Sequence, residues 1–459
     1  MIDQRIVEEL RGIVGEKYVL TDPVDLYVYS FDASLLRAKP DVVVRPGSKE
    51  EVVEVVRLAY RERIPVVARG AGTNLVGSAL PVKGGIVIDL TRLNRILEIN
   101  PVDLYCRVEP GVVHAVLEEE LGKHGLFWPP DPGSSDSCTI GGILSQCASG
   151  MRALKYGGAR EWVLALEVVL PTGEVIRTGT PTLRWAVGYD LTRLFVGAEG
   201  TLGVITEAVL KVFPLPESMV RLTGFFERME DACKFVGKVL QAGIVPDALE
   251  IMDRGIIKAI NEWMKLGLPE VDAYVMVDYC GFEGEVGEAS RKLEGLLAEA
   301  GAFGIRKATA KEEIEELYVV RREAATALPK VTGKSNLTHD FCVPISKLAE
   351  GFEAVYECAS KWDIPVAILS HACVGIIHPI FSVDVFDEED LERAEKCYEE
   401  LAPKIMELGG AISGEHGVGL AHAKFMEEAC GRKVLELMRG IKRVFDPENL
   451  MNPGKLKLE

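Results

Sequence analysis

Two apolar runs, Ile64-Pro65-Val66-Val67-Ala68 and Ile86-Val87-Ile88-Asp89-Leu90, enclose a loop that begins Arg69-Gly70-Ala71-Gly72-Thr73-Asn74-Leu75-Val76-Gly77-Ser78. The runs read as buried strands. Glycine reaches positive φ at little steric cost and lets the backbone approach a ligand closely. Successive free N–H groups in such a turn form a concave anion site. A nest for a pyrophosphate and a tight hairpin loop without a ligand are both open from this stretch alone. The familiar nucleotide loops are excluded. There is no Gly-x-x-x-x-Gly-Lys-Ser/Thr. A dinucleotide fingerprint needs a helix opening at the glycines, and here another strand follows, so Asp89 is not a ribose ligand.

At 459 residues the chain exceeds one compact core, and two or three domains are expected. A formal charge of −18 disfavours nucleic acid and anionic membranes as main partners. Met1 to Leu10 is an amphipathic helix start without the apolar core of a signal peptide. No stretch offers the roughly 18 uncharged apolar residues of a membrane span. The ten cysteines contain no Cys-x-x-Cys pair, so they are expected to be reduced and buried, with no iron–sulfur site. These features imply a cytoplasmic protein.

Along the chain, residues 1–38 read as a helical lead-in and Pro40 to Arg45 as a strand. Ser48 caps a helix, with Glu51 three residues on as in a capping box. Residues 86–110 alternate as strands, Val113 to His124 is a helix, and Trp162 to Leu170 and Gly203 to Phe213 are strands. Pro214-Leu215-Pro216 reads as a boundary. Beyond it, a strand from Leu222 to Phe226, helices at 231–241, 255–265 and 286–300, and a strand at 273–278 describe an antiparallel sheet covered by helices. The pattern repeats loosely at Asp340 to Pro344, in the helix from Ser346 and in the strand from Val366 to Leu369. Glu389 to Met406 is a helix, and Val444 to Lys455 is a turn-rich tail. The expected division is 1–38, 39–217, 218–405 and 406–459.

Further glycine-rich loops follow: Pro129 to Ser135 with Thr139-Ile140-Gly141-Gly142, and Gly188-Tyr189-Asp190-Leu191 with Gly197 to Gly203. Three such loops in one domain suit a long ligand with a diphosphate and a flat ring system. Arg-Gly-Ala-Gly-Thr-Asn (69–74), Pro-Pro-Asp-Pro-Gly-Ser-Ser (129–135), Thr-Ile-Gly-Gly (139–142), Gly-Tyr-Asp-Leu (188–191) and Glu-Gly-Thr-Leu-Gly-Val-Ile-Thr-Glu (199–207) are followed by Ser-Gly-Glu-His-Gly-Val-Gly (413–419) and Asp-Pro-Glu-Asn-Leu-Met-Asn-Pro-Gly-Lys (446–455). In this order they resemble the FAD-linked 2-hydroxy acid dehydrogenases of the p-cresol methylhydroxylase/vanillyl-alcohol oxidase type, the group of glycolate oxidase large subunits and D-lactate dehydrogenases. The resemblance spans nearly the whole chain. It implies an α+β fold: a two-part FAD-binding domain, an α+β cap domain with an antiparallel sheet, and a C-terminal segment returning to the FAD domain.

The resemblance also implies roles. Arg69, Gly70, Ala71, Gly72, Thr73, Asn74, Gly77 and Ser78 would hold the FAD diphosphate. Pro130, Asp131, Ser134, Thr139, Gly141, Gly142, Glu199, Gly203 and Ile205 would line flavin and adenosine, and Asn452 would close over the cofactor. Residues 69–78 contain no His, and Cys138 stands one place beyond the cysteinyl link of some relatives, so dissociable FAD is expected. Five of the seven histidines follow residue 338. Imidazoles with a carboxylate suit a borderline-soft divalent ion. By resemblance His371, His378 and Glu415 would ligate zinc, manganese or iron, His416 would be the general base, and Arg322 would bind the substrate carboxylate.

Two departures stand out. The family's Gly-His-x-Gly-Asp-Gly-Asn-x-His is here Ser370-His371-Ala372-Cys373-Val374-Gly375-Ile376-Ile377-His378, and its Gly-Gly-Asn-x-Ala-x-Asn-Ala-Gly-Gly is Gly141-Gly142-Ile143-Leu144-Ser145-Gln146-Cys147-Ala148-Ser149-Gly150. The lost Asp removes an orienting partner for a ligand, and both changes make the site more apolar. The expected activity is oxidation of a small D-2-hydroxy acid, lactate or glycolate, with electrons passed to an external acceptor: an electron-transfer flavoprotein, a quinone-linked subunit or an iron–sulfur partner. The chain would be an oligomer or a subunit of a complex, peripheral to a membrane only through a partner. The departures keep open a decayed electron-relay subunit, and a synthase resembling alkyl-dihydroxyacetone-phosphate synthase stands third.

Overall fold

The structure, a computed structural model, describes residues 2–459. It divides into two compact units. One holds the residues up to Gly150 with Gly157–Leu215 and Glu415–Glu459, and the other holds Met151–Tyr156 with Pro216–Gly414.

The first unit contains a two-stranded pair, Leu126–Phe127 with Phe213–Pro214, and two main sheets. The smaller runs Val19–Leu20, Val42–Val44, Ile86–Asp89, Val66–Arg69. Val66–Arg69 and Ile86–Asp89 pair in parallel, so the glycine-rich stretch between them is a crossover and not a hairpin loop. The lead-in is not wholly helical. Gly15, at φ 89, ends the first helix, Gln4–Val14; Val19–Leu20 then pairs antiparallel with Val43 and Val44, and Asp22 caps a short helix, Pro23–Val28. The apolar face of the helix Lys49–Glu62 packs in the same core as these strands. Ser48 accepts from Glu51 N as the pattern requires, while the Glu51 carboxylate takes Gly47 N instead of Ser48 N. The larger sheet is antiparallel, in the order Ile96–Asn100, Tyr105–Val108, Val204–Lys211, Val163–Val169, Val175–Gly179. The C-terminal segment joins this unit: Met451 bridges Val66, and Asn452 N donates to Val66 O at 2.7 Å.

The second unit is an eight-stranded antiparallel sheet. Its path is Phe303–Ala308, Ser218–Phe226, Ala273–Gly281, Ala248–Asp253, Val366–His371, Ile376–Val383, Ser335–Thr338, with Phe341–Cys342 beside Ile376–Val383. The central strand Ala248–Asp253 is buried on both faces, so its sequence shows no alternation that would reveal it. The helix Lys311–Thr332 packs over the sheet through Leu317, Val320, Ala324, Ala327 and Leu328. Among the described residues no helix is long and apolar enough to cross a membrane.

Candidate active site

The cradle in the first unit is assembled by Glu199. Its side chain is 3% exposed and its backbone stands at φ 51. The carboxylate accepts Ser78 Oγ at 2.7 Å, Val418 N at 2.8 Å and Gly419 N at 2.9 Å. Burial pushes the carboxyl upward, against these donors. One side chain thus ties the first loop, the third loop and the 413–419 turn together. Asn452 closes the same knot, its Nδ2 donating to Ser78 O at 2.8 Å and Glu199 O at 2.6 Å. Within the first loop, Asn74 Oδ1 accepts Val76 N and Ser78 N, both at 2.9 Å, and folds the backbone onto itself. Gly72 and Gly77 hold φ 74 and 76 beside Ala71 and Thr73.

The second loop meets the first. A Cβ on Gly70 would stand 2.2 Å from Thr139 Oγ1, so a larger residue cannot take that place without displacing Thr139. His114, 3% exposed, pins the loop between Pro130 O at 2.8 Å and Ser135 Oγ at 2.7 Å. Ser134 O accepts Cys138 N, Asp131 lies against Gly150, and Gly141 lies against Pro110. Gly203 approaches Val169 O, and buried Ile205 pairs with Val168. Tyr189 of the Gly-Tyr-Asp-Leu stretch is 93% exposed, and Asp190 caps the helix Leu191–Phe195.

Three cradle residues carry buried polar atoms that no protein group satisfies: Arg69 Nη1, Thr139 Oγ1 and Asn452 Oδ1. Buried polar groups are ordinarily paired. Two donors and an acceptor in a glycine-lined cradle match the phosphates, ribose and ring edge of a flavin dinucleotide, so these residues fit FAD.

In the second unit, His371 and His378 sit on adjoining antiparallel strands with ring centroids 5.0 Å apart. The turn between them is tight. Gly375 stands at φ 77, and a Cβ there would meet Val343 O at 2.0 Å. Sequence reasoning missed Glu250. It faces His371 across the strands, is fully buried, and accepts from His371 Nδ1 at 2.8 Å and Arg321 Nε at 2.6 Å. The only hint was one acid inside an apolar run. Nδ1 therefore carries the proton, which leaves the lone pair of the neutral ring on Nε2. Val374 brings no carboxylate to His371; the one it has comes from the neighbouring strand. Cys373 and Ile376 are core residues, and Ile376 fills the space under Gly414. Arg322 does not share this position. It is half exposed, between Glu315 and Glu323, because adjacent helical residues point about 100° apart. Arg321 is the one that turns inward.

Asp340, fully buried, sets the approach to the 413–419 turn: it accepts Gly414 N at 2.6 Å and Ser413 Oγ at 2.9 Å. In the first unit, Glu415 accepts Ser149 Oγ at 2.8 Å, His416 Nε2 stands 3.9 Å from Glu415 Oε1, and His416 O accepts Asn74 Nδ2 at 3.4 Å.

A family model described as FAD binding domain matches residues 40–179, and one described as FAD linked oxidases, C-terminal domain, matches residues 215–456. The chain belongs to the FAD-linked oxidase family. It is 36% identical to the glycolate oxidase subunit GlcD of Bacillus subtilis (strain 168), covering 99% of this chain and 97% of that one. Its identity to the D-lactate dehydrogenase of Anaerostipes hadrus is 32%, over 99% and 98% of the two chains. The fold is that of p-cresol methylhydroxylase, at a TM-score of 0.83 and 19% identity over 99% of this chain and 97% of that one. Alkyldihydroxyacetonephosphate synthase shares it at 0.78 and 21%, over 99% and 86%. The motifs at 69–74, 129–135, 139–142, 413–419 and 446–455 fall within the matched residues, and those at 188–191 and 199–207 lie between the two matches.

Proposed function

We propose that this oxidase removes two electrons and two protons from a small D-2-hydroxy acid, lactate or glycolate, yielding the 2-oxo acid. The glycolate oxidase and D-lactate dehydrogenase names of its relatives support the substrate class. Bound FAD supplies a two-electron hydride acceptor, and a divalent metal a Lewis acid, chemistry that side chains lack. FAD is held without a covalent bond by the cradle from Arg69 to Ser78, Pro130 to Gly142, Glu199 to Ile205 and Asn452. By the family resemblance His371, His378 and Glu415 would be the metal's donors; within the second unit Glu250 holds the His371 tautomer, and within the first Ser149 orients Glu415. His416 takes the substrate hydroxyl proton on its ring. Electrons leave to an external acceptor, and the chain works in the cytoplasm.

The observation that carries this reading is the Glu415–Gly419 turn. One end is tethered to Glu199 of the cradle and the other presents a carboxylate beside an imidazole. Anaerobic D-lactate, glycolate and D-2-hydroxyglutarate are added in turn to metal-supplied holoprotein. Bleaching of the flavin band near ~450 nm by one of them is expected; no bleaching by any 2-hydroxy acid overturns the proposal.

A further inference from the structure

Two exposed apolar stretches of the first unit flank the same segment. Between residues 183 and 191 every second side chain is large, apolar and exposed: Leu183, Trp185, Val187, Tyr189 and Leu191. This stretch follows Val175–Gly179, an edge strand. The helix Arg432–Phe445 buries only Leu435 and Lys442. Its Val434, Leu437, Met438, Ile441 and Val444 recur at helical spacing, so they form one stripe, and all five are exposed. Phe195 packs edge-on against Phe445 at 5.4 Å, and Lys442 Nζ donates to Thr201 O at 2.8 Å. Both stretches therefore border residues 192–201.

Together they hold ten of the 27 large apolar side chains that are exposed among the described residues. Apolar side chains gathered on one bordered segment in this number mark an interaction site, where singly scattered ones would need no explanation. Its charge runs against the chain's. Arg184, Arg193, Arg432, Lys433, Arg439 and Arg443 stand against Asp190 and Glu436, on a chain of formal charge −18. A second copy related by two-fold symmetry would set this positive rim against itself. Opposite charge favours an acidic partner. The bordered segment ends in Gly197-Ala198-Glu199-Gly200, a wall of the cradle, and the scattered cysteines offer no cluster of their own to carry electrons further.

We infer that this surface docks an electron-accepting protein whose contact face is apolar at its centre and acidic at its rim. The inference rests on the oxidase reading above. Each turnover takes two electrons and two protons from a CH–OH group. The two electrons reduce the partner's redox group, and the protons follow them or pass to solvent. Trp185 and Tyr189 are the aromatic anchors expected at the centre of such an interface.

The test has two arms. A photocrosslinking residue is placed at Trp185, Leu437 or, as control, exposed Val102, in cells that produce the full chain. Trp185 and Leu437, but not Val102, are expected to capture one flavin-, haem- or iron–sulfur-bearing protein. In the second arm, Leu437→Asp and Arg443→Glu are expected to slow reoxidation of substrate-reduced holoenzyme by extract of those cells about tenfold, as loss of one interface anchor does. Reduction of a small dye by the same variants stays unchanged. Crosslinks only to a second copy or to lipid, no crosslink above control, or unchanged reoxidation overturns the dock. Failure of the unmutated holoenzyme to reduce the dye overturns the oxidase reading instead, and the crosslinks still judge the dock.

Discussion

Nδ1 of His371 lies 2.8 Å from Oε1 of Glu250 on the next antiparallel strand, and both side chains are closed to solvent. Burial alone would raise the Glu250 carboxyl. His371 and Arg321 overcome it and hold the group below the usual carboxylate range. The pair fixes which ring nitrogen faces outward, a condition for using His371 as a metal ligand.

Glu250→Gln removes the charge but keeps the shape. Metal affinity of the holoprotein, measured by chelator competition, is expected to fall about 10- to 100-fold with FAD content unchanged. Glu250→Ala also removes the carboxylate to which partly buried Arg321 donates, and a lower stability in denaturant unfolding is expected. Because the folded carboxyl is depressed, its stabilisation is present above the ordinary carboxylate range and is lost as pH falls below that range, through the folded value.

Replacing His416 by Gln removes the proposed proton acceptor and leaves the cradle bonds of Glu199 intact. The rate of substrate-driven flavin bleaching is expected to drop about 10²- to 10⁴-fold. Retained FAD, read by absorbance after desalting, distinguishes this from a folding defect. An undiminished rate removes His416 from the mechanism.

Gly419→Ala tests the cradle. A Cβ there would stand 2.2 Å from Val76 O, and the backbone holds φ 50. Strain of roughly 1–3 kcal/mol is expected, weakening FAD retention about tenfold or more in a dialysis titration. Wild-type retention in the variant counts against the Glu199–Gly419 tether as a cofactor support.

Asp253 gives a pH signature separate from the chemistry. It is buried, caps the helix Arg254–Met264 through Ile256 N at 2.9 Å, and accepts Tyr356 OH at 3.0 Å. Burial raises its carboxyl from 3.8 to about 6. Between those values the folded chain holds a proton that the unfolded chain has released, so this group's contribution to stability is greatest below about 4 and declines as pH rises to about 6. Asp253→Asn is expected to flatten that slope in urea unfolding. An unchanged slope assigns it to another group.

The glycine loops around Arg69, Thr139 and Glu199 were legible because a phosphate cradle is written in consecutive residues: backbone conformation follows from local glycine and Asn placement. The spacing of His371 and His378 was legible for the same reason, being set by one tight hairpin. Glu250 was not, since an acid in Ala-Leu-Glu-Ile-Met-Asp carries no periodic mark and acquires its role only from the strand beside it. Nor was the inward turn of Arg321 beside outward Arg322, which depends on the phase of a 22-residue helix against the sheet.

By itself, then, the amino-acid order determined the kind of cofactor and the short-range shape of each loop that would hold it, because those are governed by torsions and neighbours a few places away. Tertiary packing alone decided that the first crossover is parallel, that Glu199 gathers three distant segments, and that His371 leans on Glu250. Within each unit burial brings residues scattered along the chain into hydrogen-bonding distance, and no local pattern encodes which distant strand will supply a partner.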